Sequence, residues 1–182
     1  MERNLALVAM MTAFVAALGQ IPGFTLASGI PISAQSLGIM LCGTILGARR
    51  GALAVLLFLA LVALGLPLLS GGRGGLGVFT TPWAGFLFGF PLAAYVTGLV
   101  MERWPGNLTR GAIVAALAGG IGALYLIAVP FYMVAAPAGP GEALLTAMAP
   151  FMPGDLIKAV LAGLITGALA RARPGRLPSR QG

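Results

Sequence analysis

Long apolar runs that almost no charge interrupts are the feature that most constrains this chain. Of its 182 residues, 59% are hydrophobic and only 8% are charged, whereas a soluble globular domain carries roughly a quarter charged residues. Apolar runs of about 18 residues or more have the length that a helix needs to cross the hydrocarbon core of a bilayer. The sequence therefore predicts an integral membrane protein.

Glycine, proline and arginine divide the chain into six apolar segments. We predict an all-α membrane protein in which residues 1–182 form a single domain, a bundle of six transmembrane helices. The first segment is predicted to be a retained helix and not a signal peptide, because Glu2 stands where a signal peptide is basic. The six predicted helices cover approximately residues 5–20, 32–46, 51–69, 82–101, 111–136 and 151–170.

The basic residues lie between the apolar segments, and their distribution predicts the orientation of the chain. With the N-terminus inside, nine arginines fall at the inner side, and only Arg73 and Lys158 fall at the outer side. Cytoplasmic loops of membrane proteins carry such an excess of Lys and Arg, so we predict that both termini are cytoplasmic. The net charge of +7 does not indicate nucleic-acid binding, because there is no basic stripe with interleaved aromatic residues.

The sequence offers few groups for enzyme chemistry. It contains no histidine, and Cys42 is its only cysteine, which we expect to pack inside a helix. It also lacks the G-x-x-x-x-G-K-[ST] loop that binds nucleotide phosphates, since the run GGRGG has no lysine. We therefore predict that the chain is not an enzyme, needs no metal or cofactor, and binds or conducts a small molecule.

Asp155 and Lys158 are the candidate ligand-binding pair, at the start of the sixth predicted helix. Spacing of i, i+3 puts both side chains on one helix face. Asp155 could instead be a helix N-cap, with Lys158 reaching outward to the surface as its partner. Against this alternative, a cation in the first turn opposes the helix dipole, and ionisable groups within a span usually face a cavity or a partner.

Two further features have both a structural and a functional interpretation. The outer connection with Gly71, Gly72, Arg73, Gly74 and Gly75, called here the glycine loop, is either a flexible linker or a lid over a cavity. In the first predicted helix, Ala9, Ala13 and Ala17 form a stripe of small side chains on which another helix can pack closely. That helix could belong to this chain or to another membrane subunit.

Two stretches of the sequence resemble the BioY biotin transporters, the substrate-binding (S) components of energy-coupling-factor (ECF) transporters. The first is GIPISAQSLGIMLCGTILGARRGALAVLLFLALVALGLPLLSGGRGGLGV, which is similar to the N-terminal half of that family. The second is PFMPGDLIKAVLAG, which resembles the family's signature near the C-terminus. The resemblance runs from the first helix through Ala170. It implies six helices, cytoplasmic ends and a vitamin site near the outer face beneath mobile loops.

The resemblance also implies roles for particular residues. Lys158 would contact the valerate carboxylate of biotin and Asp155 its ureido N–H groups, while Gln35 would line the pocket from the second helix. Where the family usually reads P-T-G-G-Y, this chain reads Pro82-Trp83-Ala84-Gly85-Phe86; the hydroxyls are lost, but Trp83 and Phe86 can pack against the fused ring. Tyr125 is a further candidate, with a packing role as the alternative.

The function that the resemblance implies is biotin uptake in a prokaryotic cell (inner) membrane. The expected partners are biotin, membrane lipid, an ECF transmembrane coupling subunit that contacts the alanine stripe, and two ATPase subunits. One alternative is an S component for another vitamin such as thiamine or riboflavin. A second alternative is a membrane scaffold subunit that binds no ligand.

Overall fold

Helices account for most of the fold, which a computed structural model describes for residues 2–21, 24–25, 31–173 and 177–180. A small antiparallel hairpin joins the strands β1 (Phe24–Thr25) and β2 (Pro31–Ile32). Within these described ranges there are seven α-helices: α1 (Glu2–Gln20), α2 (Gln35–Leu46), α3 (Ala48–Ala63), α4 (Ala84–Arg103), α5 (Leu108–Ala135), α6 (Pro140–Ala147) and α7 (Met152–Ala172).

Four of these helices, α1, α4, α5 and α7, are long and apolar enough to cross a membrane. Helix α2 has 12 residues and α3 has 16, which is shorter than the roughly 18 residues that mark a spanning helix. The structure therefore supports a helical membrane protein with several spans. That α2 and α3 also cross, giving six spans, stays a prediction.

Helix α4 forms the centre of the bundle and packs against α2, α3 and α5. Over an 18-residue window it is 56% buried, compared with 22% for α1. Helices α5 and α7 approach closely because Gly163 and Gly167 stand four residues apart on α7. A Cβ atom at Gly163 would overlap Ile113, and one at Gly167 would overlap Thr109, so this pair acts as the small-xxx-small contact typical of membrane helices.

Two predicted helix boundaries were wrong, the start of α2 and the end of α3. Helix α2 begins at Gln35 and not at residue 32, because Pro31–Ile32 pair with the other strand of the hairpin. Helix α3 ends at Ala63 and not at residue 69. It stops there because Gly65 has a φ of 103°, and Pro67 has no N–H to continue the helix.

Helix α5 differs from the prediction in its start and in its middle. It begins at Leu108, before the predicted residue 111, because the Asn107 side chain caps it by accepting a 3.0 Å hydrogen bond from the Arg110 N–H. Residues Leu117–Ala123 form a wider π-helical stretch. The short helix α6 was not predicted. The remaining boundaries differ by three residues or fewer, and a difference of one or two residues is normal at helix ends.

One end of the bundle, called here the basic end, is tied together by the last described residues. Arg50 donates to Asn4 Oδ1 (3.3 Å) on α1 and to the Pro178 carbonyl (2.6 Å). Ser179 donates to the Thr44 carbonyl (2.7 Å). Arg180 Nη1 donates to three carbonyl oxygens at the end of α4, those of Met101 (3.2 Å), Glu102 (3.0 Å) and Trp104 (3.0 Å). The start of α1 and the C-terminal segment therefore lie at the same end.

Candidate ligand-binding site

A cavity lies at the opposite end of the bundle, among the first turns of α2, α4 and α7. It encloses about 780 Å³ of space between atoms, counting its open mouth. Eight of the sixteen lining residues are aromatic or aliphatic and eight are polar or charged, so the cavity combines apolar surface with convergent polar groups, as small-molecule sites do. The lining residues are Ser33, Gln35, Ser36, Leu69, Ser70, Arg73, Val78, Thr81, Trp83, Phe86, Leu87, Phe90, Leu124, Phe151, Asp155 and Lys158.

Three side chains form a closed hydrogen-bonded triangle in the wall of the cavity. Lys158 Nζ lies 3.1 Å from Asp155 Oδ1 and 2.8 Å from Ser36 Oγ. Ser36 donates to the same carboxylate oxygen at 3.1 Å. The side chains of Lys158 and Asp155 are only 15% and 6% exposed, so the ion pair is largely withdrawn from water while it faces the cavity.

The position of Asp155 inside α7 rules out the N-cap interpretation. The helix begins at Met152, and the Asp155 N–H already bonds to the Phe151 carbonyl at 2.9 Å. The carboxylate accepts from Ser36, Lys158 and Tyr125. Lys158 likewise points inward to Ser36 and Asp155 and does not extend to the outer surface. The pair is therefore built into the cavity wall.

Tyr125 holds the carboxylate from the side away from the cavity. Its hydroxyl donates to Asp155 Oδ2 at 2.6 Å, and its ring meets Phe86 edge-on with centroids 5.7 Å apart. Tyr125 is buried and does not line the cavity. It lies two residues after the π-helical stretch of α5, which ends at Ala123. Tyr125 thus positions Asp155. The sequence left two roles open for this residue, contact with the ligand and simple packing, and the observed role is intermediate between them.

Gln35 connects the cavity wall to the loop that follows α3. Its side-chain amide donates to the Leu68 carbonyl (2.9 Å) and its oxygen accepts from the Ser70 N–H (3.1 Å). The side chain is buried, so both ends of the amide are used for this tether. Gln35 lies in the lining as expected, and it also fixes the residues that lead into the glycine loop.

Aromatic rings form one wall of the cavity. Trp83 stacks near Phe86 with centroids 6.3 Å apart, and Phe151 lies 5.7 Å from Phe86. Tyr132 packs against Trp83 from α5 at 4.7 Å. Trp83 and Phe86, the two residues predicted from the departure at 82–86, therefore both reach the cavity.

The glycine loop is folded by its own hydrogen bonds. Leu69 and Arg73 pair across a tight turn, in which Gly71 and Gly72 have φ values of 79° and 70°. Such positive φ values favour glycine. Arg73 Nε donates to the Ser70 carbonyl at 3.1 Å, and its side chain lies in the cavity lining. The loop is thus an ordered part of the rim; its closure as a lid stays a prediction.

The alanine stripe of α1 lies on an exposed face. Ala9, Ala13 and Ala17 are all exposed, while α1 buries another face against α2 and α3. The interpretation that the stripe packs within this chain was therefore wrong. Its surface is available to another helix.

Sequence reasoning missed Ser36 and Phe151, which both line the cavity. Ser36 directly follows Gln35, and Phe151 directly precedes the Pro-Gly-Asp run, so proximity to predicted site residues was a signal for each. Leu87 and Phe90 were also missed, although they follow Trp83 at i+4 and i+7 and thus share its helix face. Nothing in the sequence indicated that the small hydroxyl of Ser36 would meet an ion pair.

A family model and several relatives match this chain over nearly its whole length. The family model described as "BioY family" matches residues 2–175. The relative named biotin transporter BioY from Rhodobacter capsulatus is 47% identical, over 99% of this chain and 100% of its own length. One of the same name from Rhizobium etli is 46% identical over 98% of each chain. The probable biotin transporter BioY of Bacillus subtilis is 37% identical over 91% of this chain and 89% of its own.

A solved structure has the same fold. It is the crystal structure of the S-component for biotin from an ECF-type ABC transporter, and it matches with a TM-score of 0.85 and 29% sequence identity. The match covers 93% of this chain and 91% of that one. The similarity therefore extends over the bundle and is not confined to the residues around the cavity.

Proposed function

Because the chain belongs to the BioY family, we propose that it binds biotin in the membrane and mediates uptake of the vitamin as the S component of an ECF-type transporter. The observation that carries this proposal is the Asp155–Lys158 pair in the cavity wall. Ionisable side chains inside a membrane are costly and mark functional sites. An ion pair that faces a cavity can contact a ligand there, whereas an ion pair that faces lipid could not.

The chemistry of biotin matches the groups around the cavity. Its ureido group has N–H donors and a carbonyl acceptor side by side, and the triangle offers a carboxylate acceptor beside the donor Lys158. The apolar tetrahydrothiophene ring fused to the ureido ring can pack against the aromatic wall formed by Trp83, Phe86 and Phe151. We therefore place the bicyclic head of biotin at the triangle.

The valerate carboxylate needs a cation, and the cavity lining contains Lys158 and Arg73. Lys158 is already paired with Asp155 at 3.1 Å, whereas Arg73 uses its Nε on the Ser70 carbonyl and lies at the mouth. A guanidinium group has further N–H donors in a fork that matches a carboxylate. We assign the carboxylate to Arg73, which differs from the assignment to Lys158 that the resemblance implies.

The glycine loop then acts as the lid. Arg73 lies within the loop, so binding of the carboxylate draws the loop over the cavity. Gln35 anchors the loop at Leu68 and Ser70, which makes the residues between Ser70 and Gly75 the part that moves.

The energy for release into the cell comes from partner subunits. This sequence has no phosphate-binding loop of its own, so we assign ATP hydrolysis to two ATPase subunits joined through a transmembrane coupling subunit. The exposed stripe of Ala9, Ala13 and Ala17 is the surface on which that subunit packs. We place the basic end in the cytoplasm, in agreement with its arginines, and the cavity at the outer face.

Titration of the purified protein with biotin tests the proposal. We expect the wild-type protein to bind biotin in preference to thiamine or riboflavin, and Lys158→Ala to lose at least roughly 100-fold in affinity, because it leaves a buried carboxylate without its partner. Lys158→Arg, which keeps the charge, should lose less. Unchanged affinity in Lys158→Ala, tighter binding of another vitamin, or no binding by the wild type would overturn the proposal.

A comparison of biotin with biotin amide tests the assignment of the carboxylate. The amide lacks the negative charge, so the wild-type protein should bind it more weakly than biotin. Arg73→Gln should bind the two ligands about equally, while Lys158→Ala should still discriminate between them. If Lys158→Ala loses the discrimination and Arg73→Gln keeps it, the carboxylate belongs to Lys158.

A further inference from the structure

The π-helical stretch of α5, Leu117–Ala123, separates two halves of the helix that pack against different neighbours. The first half meets α7 at two glycines. A Cβ atom at Gly163 would overlap Ile113, and one at Gly167 would overlap Thr109. Because this contact leaves no room for a different side chain, it fixes the rotation of the first half of α5.

The second half of α5 meets α4, also at two glycines. A Cβ atom at Gly89 would come within 2.8 Å of Leu124, and one at Gly85 within 2.7 Å of Phe131. These contacts fix the rotation of the second half in the same way. The two halves therefore have their rotations set independently, the first by α7 and the second by α4.

The stretch between the halves determines where Tyr125 points. An α-helix has 3.6 residues per turn, so one residue more or less rotates everything beyond it by about 100°. The i→i+5 bonds of a π-helix take up one additional residue in a turn. If the stretch were α-helical with the same residues, Tyr125 would turn by about that angle. Its hydroxyl, which lies 2.6 Å from Asp155 Oδ2, would then point elsewhere.

Packing explains two of the three glycines in the stretch but not the third. Cβ atoms at Gly119 and Gly120 would overlap side chains of α4 and α2. Gly122 is exposed, and the nearest atom to a Cβ there would be the Leu117 carbonyl oxygen, at an ordinary distance of 3.8 Å. Removal of Gly122 therefore takes away no group that another helix contacts.

We propose that the π-helical stretch is a positioning element of the candidate site. Its additional residue reconciles the two rotations of α5 and so brings Tyr125 to Asp155. No residue of the stretch lines the cavity, so it acts through Tyr125 and not on the ligand. The inference rests on the proposed function for what Asp155 binds, and it deepens that function by naming what holds the carboxylate in place.

Deletion of Gly122 from the full chain tests the proposal. The stretch should then close into a regular α-helix while both halves keep their present rotations. We expect the purified variant to bind biotin within about threefold of the wild type, the usual effect of a change at an exposed position.

Deletion of Leu92 is the matched control. Leu92 is also exposed and lies within a long helix, α4, between the closely packed Gly89 and Gly98. Because α4 is α-helical throughout, this deletion should rotate one part of the helix against the other by about 100°. It should abolish biotin binding.

A measurement without ligand separates this inference from the proposed function. Tyr125→Phe removes the hydrogen bond to Asp155, so it should lower the melting temperature of the ligand-free wild type by several degrees. It should lower that of the Gly122 deletion equally, because Tyr125 still reaches Asp155 there. Equal decreases without any biotin binding by the wild type would refute the proposed function and leave the positioning role in place.

Three results would overturn the inference. In the first, the Gly122 deletion fails to fold or loses binding as the Leu92 deletion does. In the second, both deletions bind biotin as the wild type does, which would mean that the bundle adapts to any lost residue. In the third, Tyr125→Phe does not change the melting temperature of the Gly122 deletion, which would mean that the hydroxyl no longer reaches Asp155.

Discussion

The two ends of the bundle use charged side chains in different ways. At the basic end, Arg180 donates to backbone carbonyls at the end of α4, where carbonyls lack helical partners and the helix dipole favours a cation. At the cavity end, Lys158 near the start of α7 is paired with Asp155 at 3.1 Å, and the pair lies in the cavity wall. The first arrangement is explained by stability alone. The second places a buried ion pair against a cavity, and for this reason we propose that the cavity is the functional end.

The strongest test of this contrast is Asp155→Asn. The variant leaves Lys158 and Ser36 without their carboxylate, and breaking a buried ion pair costs about 3–5 kcal/mol. We expect biotin affinity to fall by roughly 100-fold or more, measured by titration in detergent. Glu142→Gln is the matched control, because Glu142 is an exposed acid on α6. This variant should bind biotin as the wild type does. Equal affinities in the two variants would contradict the contrast.

A smaller effect is expected from Gln35→Ala, which removes the tether of the outer loop. The loss of two buried hydrogen bonds should release residues 68–70 and weaken biotin binding by roughly 5- to 30-fold. Limited proteolysis of the ligand-free protein should show faster cleavage in the loop.

Gln20→Ala is the control for this tether. Gln20 donates to the Pro67 carbonyl of the same loop at 3.0 Å, but at an exposed position, so its loss should have little effect on either measurement. If both variants behave alike, the position of Gln35 in the cavity wall has no special importance.

The smallest effect on binding is expected from Arg180→Gln at the basic end. It removes charged hydrogen bonds to three carbonyls, so the free energy of unfolding should fall by about 1–3 kcal/mol, detected as a lower melting temperature. Biotin affinity should not change. Arg103→Gln, at an exposed residue of the same helix end, should leave both quantities unaltered. A clear loss of affinity in Arg180→Gln would show that the two ends are coupled.

The sequence predicted the helical segments well because apolar runs and glycine or proline breaks are local signals. The prediction failed where the structure depends on residues far apart in the sequence, or where an element is too short to give a pattern. The hairpin that delays the start of α2 pairs residues across a loop, and α6 is only 8 residues long, too short to give a periodic pattern. The π-helical stretch of α5 contains three of the many glycines and has no distinctive sequence signal.

The same limit applies to the site. Asp155 and Lys158 were found because their charges are unusual where they stand. Ser36 was not, because a serine in an apolar helix is unremarkable until α2 and α7 meet, which brings Ser36 and Asp155 together across 119 residues of sequence. The positioning role of Tyr125 also became clear only when the packing of α5 was known.

The clamp formed by Ser179 and Arg180 has a consequence for biogenesis. These residues are translated after every helix that they hold, so the helices must enter the bilayer while the carbonyls at the end of α4 still bond to water. Closure of this end is therefore a late step, which follows insertion of the helices that it holds together. A chain truncated after residue 173 would keep the sequences of α1 to α7 and lose the hydrogen bonds that Pro178, Ser179 and Arg180 make to the rest of the bundle.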